Sequence, residues 1–494
     1  MTAPAEPSGA GVPIASARGR WILLTTVLGS TMAMLDGTVV NVALPRIGED
    51  LDADLAVLQW TVNAYLLTLA GLILVGGSLS DRFGRRRIFV LGVVWFAVGS
   101  LLCGIAPNAG VLIAARALQG IGGALLAPGS LALIQASIRA EDRGRAIGLW
   151  SGLGGVGAAV GPFLGGWLVD GPGWRWVFLL NVPLAAVCVP VALRHVPESR
   201  DPQAHGRFDV AGAALGASAL GLVTYALIEA RSGAAAVIVA AVLGVLLGIA
   251  FVYVERRRPD PMVPPDIFAS RLFTAVNLVT LCVYAAIGGF FFLVVLQLQV
   301  VSGYSALAAG AAMLPTTLLM LLLSARSGEL GERIGPRIPL TVGPLLCAGG
   351  TLLMLRVGPE ASYVRDVLPA MVVMGMGLVA LVAPLTSTVL ASVDPGRAGL
   401  ASGINNAAAR VAGLLAVAAL PLLSGMGPES YRSATQFDAA FGRAMLWCTG
   451  AFVAGAALAW ATVRSPAPAE ACHPQCHTYC AVTAPPLEPR EESG

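Results

Sequence analysis

The chain has 494 residues, of which 56% are hydrophobic and only 12% charged, and its formal net charge is +3. A soluble domain could not hide so much apolar surface in one core, so lipid is the expected solvent. The small charge, with no dense basic stripe beside exposed aromatics, excludes nucleic acid as a partner.

All 31 basic side chains are arginine. A phosphate-cradling loop ending in Gly-Lys-Ser/Thr is therefore excluded, and so is Schiff-base chemistry on a lysine. Any energy source other than ATP bound by such a loop stays open.

Residues 1–20 are rich in Ala, Pro, Gly and Ser and read as a flexible cytoplasmic tail. A membrane helix needs about 20 apolar residues. Fourteen such runs follow, beginning at Trp21, Leu58, Arg87, Val111, Ala146, Arg175, Phe208, Gly233, Arg271, Tyr304, Pro336, Val364, Ile404 and Ala440. Arginines collect in alternate connections, 22 on the side of the termini and seven on the other, with Arg116 and Arg410 inside spans. By the positive-inside rule both termini are expected in the cytoplasm.

The loop after the second span repeats after the tenth. Gly77, Leu79, Asp81, Arg82, Gly84 and Arg86 fall on Gly328, Leu330, Glu332, Arg333, Gly335 and Arg337. Gly144-Arg145-Ala146 likewise matches Gly396-Arg397-Ala398 at nearly the same offset. Eight spans separate the copies, an even number, so the two halves are parallel repeats about an axis normal to the membrane. The expected organisation is a six-helix bundle over 21–195, a linker over 196–270 with two additional spans at about 208–229 and 233–254, and a second six-helix bundle over 271–463. Residues 464–494 read as a second flexible cytoplasmic tail.

Four segments carry a resemblance: Leu35-Asp36-Gly37-Thr38-Val39-Val40-Asn41-Val42-Ala43-Leu44-Pro45 in span one, the loop from Gly77 to Arg87, Arg116-Ala117-Leu118-Gln119-Gly120 in span four, and Gly157 to Gly166 in span five. A further one is Gly399-Leu400-Ala401-Ser402-Gly403 followed by Asn405, Asn406 and Arg410. Together they resemble the major facilitator superfamily and, within it, the fourteen-span drug/proton antiporters. The resemblance implies an all-α membrane fold of two six-helix bundles plus two central helices. It also implies secondary active export of hydrophobic drugs or antibiotics, with no enzyme activity.

Asp36 is the one acid far from a tail, connection or span end. It lies roughly 20 to 25 Å along its helix. An ionised carboxylate there costs on the order of 3 kcal/mol, so the neutral form is favoured unless a cation is supplied. Arg116 is the available partner, and the resemblance implies a proton-relay role for it. The alternatives are a structural carboxylate bonded to Thr38 or Asn41, and an arginine that only donates to helix carbonyls. No histidine lies within a span to compete as proton carrier.

Gly157, Gly161 and Gly165 recur every fourth residue in span five and form a smooth groove for another helix, with a bend at Pro162. The resemblance ties this pattern to antiporters. It also implies a cytoplasmic gate in which Asp81 docks on the N-terminal end of span thirteen and Glu332 on span five, completed by Arg82, Arg85, Arg86 and Arg333. Cavity candidates are Gln59, Trp60, Asn63, Tyr65, Gln119, Phe290, Phe291, Gln297, Asn405, Asn406 and Arg410, whose aromatic and amide groups suit apolar molecules with a few polar atoms. In the tail, Cys472, Cys476 and Cys480 with His473 and His477 offer thiols and imidazoles, but their spacing is not that of a zinc finger.

No cofactor is expected; protons are the coupling ion. The expected partners are a hydrophobic small molecule and the lipid bilayer, with the chain acting as a monomer. A proton-coupled importer of a nutrient and a non-transporting membrane receptor share the topology, and the span-five groove and the lone buried acid weigh against them.

Overall fold

The computed structural model describes residues 11–200, 209–258, 261–394, 397–427 and 433–463. Among the described residues, fourteen helices are long and apolar enough to cross a membrane, so the chain is a multi-pass membrane protein. Spans one to six are Ala17–Asp50, Leu55–Phe83, Arg85–Gly104, Ala109–Ser137, Ala140–Asp170 and Arg175–His195. Spans seven and eight are Val210–Ile228 and Ala235–Arg257. Spans nine to fourteen are Arg271–Val301, Ala306–Ser324, Arg337–Arg356, Tyr363–Ala391, Ala398–Leu423 and Ala434–Thr462.

In hydrocarbon every backbone polar group must be satisfied within the segment, which leaves helices as the spanning form of these runs. Several helices begin on a capping side chain that accepts a free backbone N–H: Ser16, Asp54, Asn108, Asp209, Ser270 and Ser433. The helix of span two ends at Gly84, and the helix that carries span ten, Leu314–Ile334, runs on past the span to end at the paired repeat glycine, Gly335. Gly84 (φ +111°) and Gly335 (φ +79°) both take backbone angles that side chains resist. The sequence repeat is thus a repeated turn.

Helix contacts show the same repetition. Span two packs on four, three on four, one on five and three on six; with eight added to each number, the same pairs recur in the second bundle. Between the bundles, five meets ten and two meets thirteen, a pair of contacts exchanged by the same relation. Span seven lies along spans two and thirteen. Span eight packs on seven and leaves side chains such as Ile238 and Ile249 exposed, as suits a lipid-facing helix.

One expectation changes at the N-terminus. Helix one starts at Ala17, not Trp21, and Val12 already bridges to Ile138 while the Ile14 amide donates to Asp142. The reason is that Ile14 is buried and Ser16 caps the helix, so the segment from residue 11 is tied down and is no tail.

Among the described residues, every hydrogen bond between the two bundles lies on the face away from the termini. Asp170 at the end of span five accepts from the Ala306 and Leu307 amides (3.3 and 2.8 Å), Gln299 donates to the Val42 carbonyl (3.0 Å), and Gln59 donates to the Val417 and Ala418 carbonyls (2.7 and 3.1 Å). Near the termini, the face of span five that continues from its contact with span ten stands clear: a Cβ placed on Gly144, Gly148, Gly152 or Gly155 would meet nothing within 4 Å. The bundles are closed on the far face and parted on the face of the termini.

Candidate functional site: a buried ion pair beside a central cavity

Asp36 sits midway along span one with no solvent exposure, and Arg116 on span four is 1% exposed. Arg116 and Gln119 are three residues apart and so project from one helix face. The Arg116 Nη1 donates to Asp36 Oδ2 and to Gln119 Oε1, each at 2.6 Å, and its Nε donates to the Thr61 carbonyl at 2.9 Å. Gln119 Nε2 donates to Asp36 Oδ1 at 2.7 Å and to Ser100 Oγ at 2.8 Å, and Asn181 Nδ2 reaches the same Asp36 oxygen at 3.4 Å. The guanidinium also lies over the Tyr65 ring, 4.4 Å from its centroid. Thr38 turns its hydroxyl to the Leu35 carbonyl at 3.0 Å.

This arrangement has two chemical properties. Both carboxylate oxygens are engaged, so the charge is compensated where water is absent. The arginine also holds acceptors that do not depend on that charge, namely Gln119 Oε1, the Thr61 carbonyl and the Tyr65 ring. Neutralising Asp36 would therefore leave Arg116 with partners, which lowers the cost of separating the pair.

Between the bundles lies a cavity of about 490 Å³. Arg116 lines it and Asp36 does not, so the arginine stands between the carboxylate and the open space. Of the residues expected there, Tyr65, Phe291, Asn405, Asn406 and Arg410 line the wall. Asn405 turns its amide to Asn277 and Thr280 on span nine, at 3.1 and 2.8 Å.

Six expected lining residues lie elsewhere. Gln59 is one helical turn nearer the closed face and is used up on the span-thirteen carbonyls. Trp60 faces the inserted spans, with its indole N–H on Glu229 (3.4 Å) and its ring against Tyr225. Asn63 is fully buried off the cavity face, with neither amide atom hydrogen-bonded. Gln119 is buried in the ion-pair network. Phe290 is fully buried and supports Phe291 edge-on at 5.2 Å. Gln297 sits in a π-helical turn at the closed face, donating to the Val357 carbonyl and to Asp438.

The sequence reading missed Asn41, Tyr284, Ile287, Gly288, Thr386 and Ser402 on the wall, and Ser100, Thr61 and Asn181 around the pair. Tyr284, Ile287, Gly288 and Phe291 follow the spacing of one helix face, a signal that was available. Asn181 was legible as an amide within an apolar run.

The span-five glycines do receive another helix. A Cβ at Gly161 would stand 2.1 Å from Thr38 Oγ1, and one at Gly165 would stand 2.8 Å from Val39, so the groove holds the helix that carries Asp36. Gly157 meets Thr31 in the same way.

The loop after span two makes different contacts from those expected. Asp81 pairs with Arg85 in its own loop at 2.8 Å, not with span thirteen. Arg86 donates its amide to Glu198 (3.1 Å) and its guanidinium to the Val196 carbonyl (3.1 Å), and Glu198 also lies near Arg87. Arg82 is half-buried and forms no ion pair among the described residues, and Arg333 is exposed. The physical reason is separation: with the bundles parted on this face, the loop charges find partners within the first bundle. The side chain of Glu332, and the tail with Cys472, His473, Cys476, His477 and Cys480, lie outside the described residues.

The profile of the Major Facilitator Superfamily matches residues 26–210 and 196–417. The chain belongs to this superfamily. It is 36% identical over 485 residues to the puromycin resistance protein of Streptomyces alboniger, covering 93% of this chain and 96% of that protein. It is 33% identical over 450 residues to the methylenomycin A resistance protein of Bacillus subtilis, covering 90% and 94%. In fold it is similar to a bacterial homologue of the human lysosomal transporter Spinster, solved inward-facing and unoccupied (TM-score 0.65, 18% identity, 92% of this chain and 100% of that one). A peptide transporter in complex with sulfate is similar too (TM-score 0.67, 15% identity, 91% and 96%). The chain is thus a membrane transporter and not an enzyme.

Proposed function

We propose that the protein exports hydrophobic drugs or antibiotics across the cytoplasmic membrane in exchange for protons. The export half of this reading is supported by relatives that cover nearly the whole chain and are named for antibiotic resistance. A relative from Streptomyces glaucescens, 36% identical over 425 residues, is named a tetracenomycin C resistance and export protein.

The proton half rests on one observation, the buried Asp36–Arg116 pair at 2.6 Å on the edge of the central cavity. With the termini in the cytoplasm, as the arginine distribution implies, the parted face is the cytoplasmic one and the cavity is poised to load. A proton reaching Asp36 from the opposite face removes the charge that holds Arg116. The guanidinium then rests on Gln119, Thr61 and Tyr65, and span one is free to move against span four. Loss of the proton restores the pair. This gives the two bundles a charge-dependent preference between their two orientations.

The test is a proteoliposome assay with an imposed proton gradient and a panel of hydrophobic drugs, comparing the unaltered protein with Asp36→Asn. Gradient-driven transport by the former and its loss in the latter are expected. Equal transport by both would remove Asp36 from the coupling.

A further inference from the structure

Among the described residues, the cavity wall carries two arginines, Arg116 and Arg410, and no acid. Arg116 is compensated by Asp36 at 2.6 Å, so its charge is spent inside the first bundle. Arg410 is different. It lies on span thirteen about 18 Å along the helix from Ala398, by the 1.5 Å rise per residue. It makes no ion pair or side-chain hydrogen bond among the described residues. A guanidinium does not lose its proton at physiological pH and is costly to hold at such depth without a counter-charge. Its fork of N–H donors matches the two oxygens of a carboxylate.

The surrounding wall defines the rest of the ligand. Tyr284 and Phe291 on span nine are half-buried and line the same wall as the cation, while Tyr65 of the first bundle borders it with its ring covered by Arg116. Asn406 adds an amide on the same face of span thirteen. We infer that Arg410 anchors the anionic group of the transported molecule, and that the preferred substrates are aromatic compounds carrying a carboxylate. This rests on the export reading and narrows it. It also has an electrical consequence: a proton moving in and an anion moving out shift charge in the same sense, so an inside-negative potential favours export.

The test uses three matched probes, 2-naphthoate, its neutral amide 2-naphthamide, and the cation 2-naphthylmethylammonium. Binding is measured by equilibrium dialysis on the full chain in lipid nanodiscs, with protein-free discs subtracted. The unaltered protein is expected to bind naphthoate at least about tenfold more tightly than naphthamide, as charge-assisted hydrogen bonds allow, and the cation most weakly. In Arg410→Gln the naphthoate-to-naphthamide ratio is expected to fall toward one, and in Arg410→Lys to be intermediate. Equal affinity for naphthoate and naphthamide in the unaltered protein would overturn the inference, and that measurement needs no variant to fold. A ratio unchanged in Arg410→Gln would overturn it as well. Gradient-driven export of an uncharged drug is measured in parallel. Export without a naphthoate preference refutes the anchor alone, and a naphthoate preference without export supports the anchor while refuting the export reading.

Discussion

Gly310 on span ten lies so close to the Pro162 carbonyl on span five that a Cβ on the glycine would stand 2.0 Å from the oxygen. One turn away, Gly166 meets the Ala306 carbonyl in the same manner. Span five therefore uses its small residues on two faces, one against span one and one against the other bundle. In lipid, where apolar burial gives no preference for helix over tail, such close backbone packing is a main source of association.

This contact is expected to hold the far face shut. Gly310→Val should push spans five and ten apart and raise the population open on that face. Spin labels at the exposed positions Arg46 and Glu360, one in each bundle, would report the change as a longer distance in pulsed electron resonance. A distance distribution identical to that of the unaltered protein would show that the Asp170 bonds to span ten suffice without the glycine contact.

The Asp36–Arg116 pair should be energetically coupled. Replacing Arg116 by Gln alone leaves a buried carboxylate without its cation, a change that costs about 3 to 5 kcal/mol in comparable pairs. Pairing it with Asp36→Asn should recover part of the loss, giving an interaction energy of about 1 to 3 kcal/mol in a double-mutant cycle. Thermal unfolding in one detergent measures all four proteins. Strict additivity would mean that the two side chains do not depend on each other.

Gly84 combines a φ of +111° with a site where a Cβ would stand 2.7 Å from Glu198 Oε1. Gly84→Ala is expected to lower stability by about 1 to 3 kcal/mol through backbone strain, and to disturb the hydrogen bonds that the Arg86 and Ser199 amides donate to Glu198. The same unfolding measurement applies, and a melting temperature within error of the unaltered protein would contradict the expectation.

Asp266, just before span nine, is joined to Arg397, just before span thirteen. The hydrogen bond from Arg397 holds the Asp266 carboxyl below its ordinary value, and Asp266 raises Arg397 in turn. Because the folded value of the acid is lowered, the link contributes fully above the ordinary carboxylate range, near 4. It is lost as pH falls through the lowered value. Asp266→Asn should therefore speed hydrogen exchange in residues 265–271 at pH 7 relative to the unaltered protein, and the difference should shrink as pH falls below the ordinary carboxylate range. A difference that does not shrink anywhere in the acid range would rule out this link as the cause.

The number of spans, their order and the parallel repeat were legible in the sequence because lipid imposes a one-dimensional rule. Each crossing must be a long apolar helix, and charge must collect between crossings. The pairing of Asp36 with Arg116 was legible for a related reason, since two opposite charges held in one apolar bundle have few other partners. Lining residues were harder to read. Gln59, Asn63 and Tyr65 share a span and a polarity, yet one is bonded across to span thirteen, one is buried unpaired, and only the last faces the cavity. Rotation of a helix about its own axis is set by the neighbours it packs against, and composition does not record it.

The conformation was likewise outside the reach of the sequence. Asp81 has one carboxylate and several arginines nearby, and whether it meets its own loop or the opposite bundle depends on how far apart the bundles stand. The structure holds them parted on that face, and Asp81 takes Arg85. The sequence by itself determined a fourteen-span membrane transporter with one acid, Asp36, deep within a span. Only the tertiary structure decided which side chains share the cavity, that Arg410 meets it without a counter-charge, and which face is shut, because those depend on contacts between segments hundreds of residues apart.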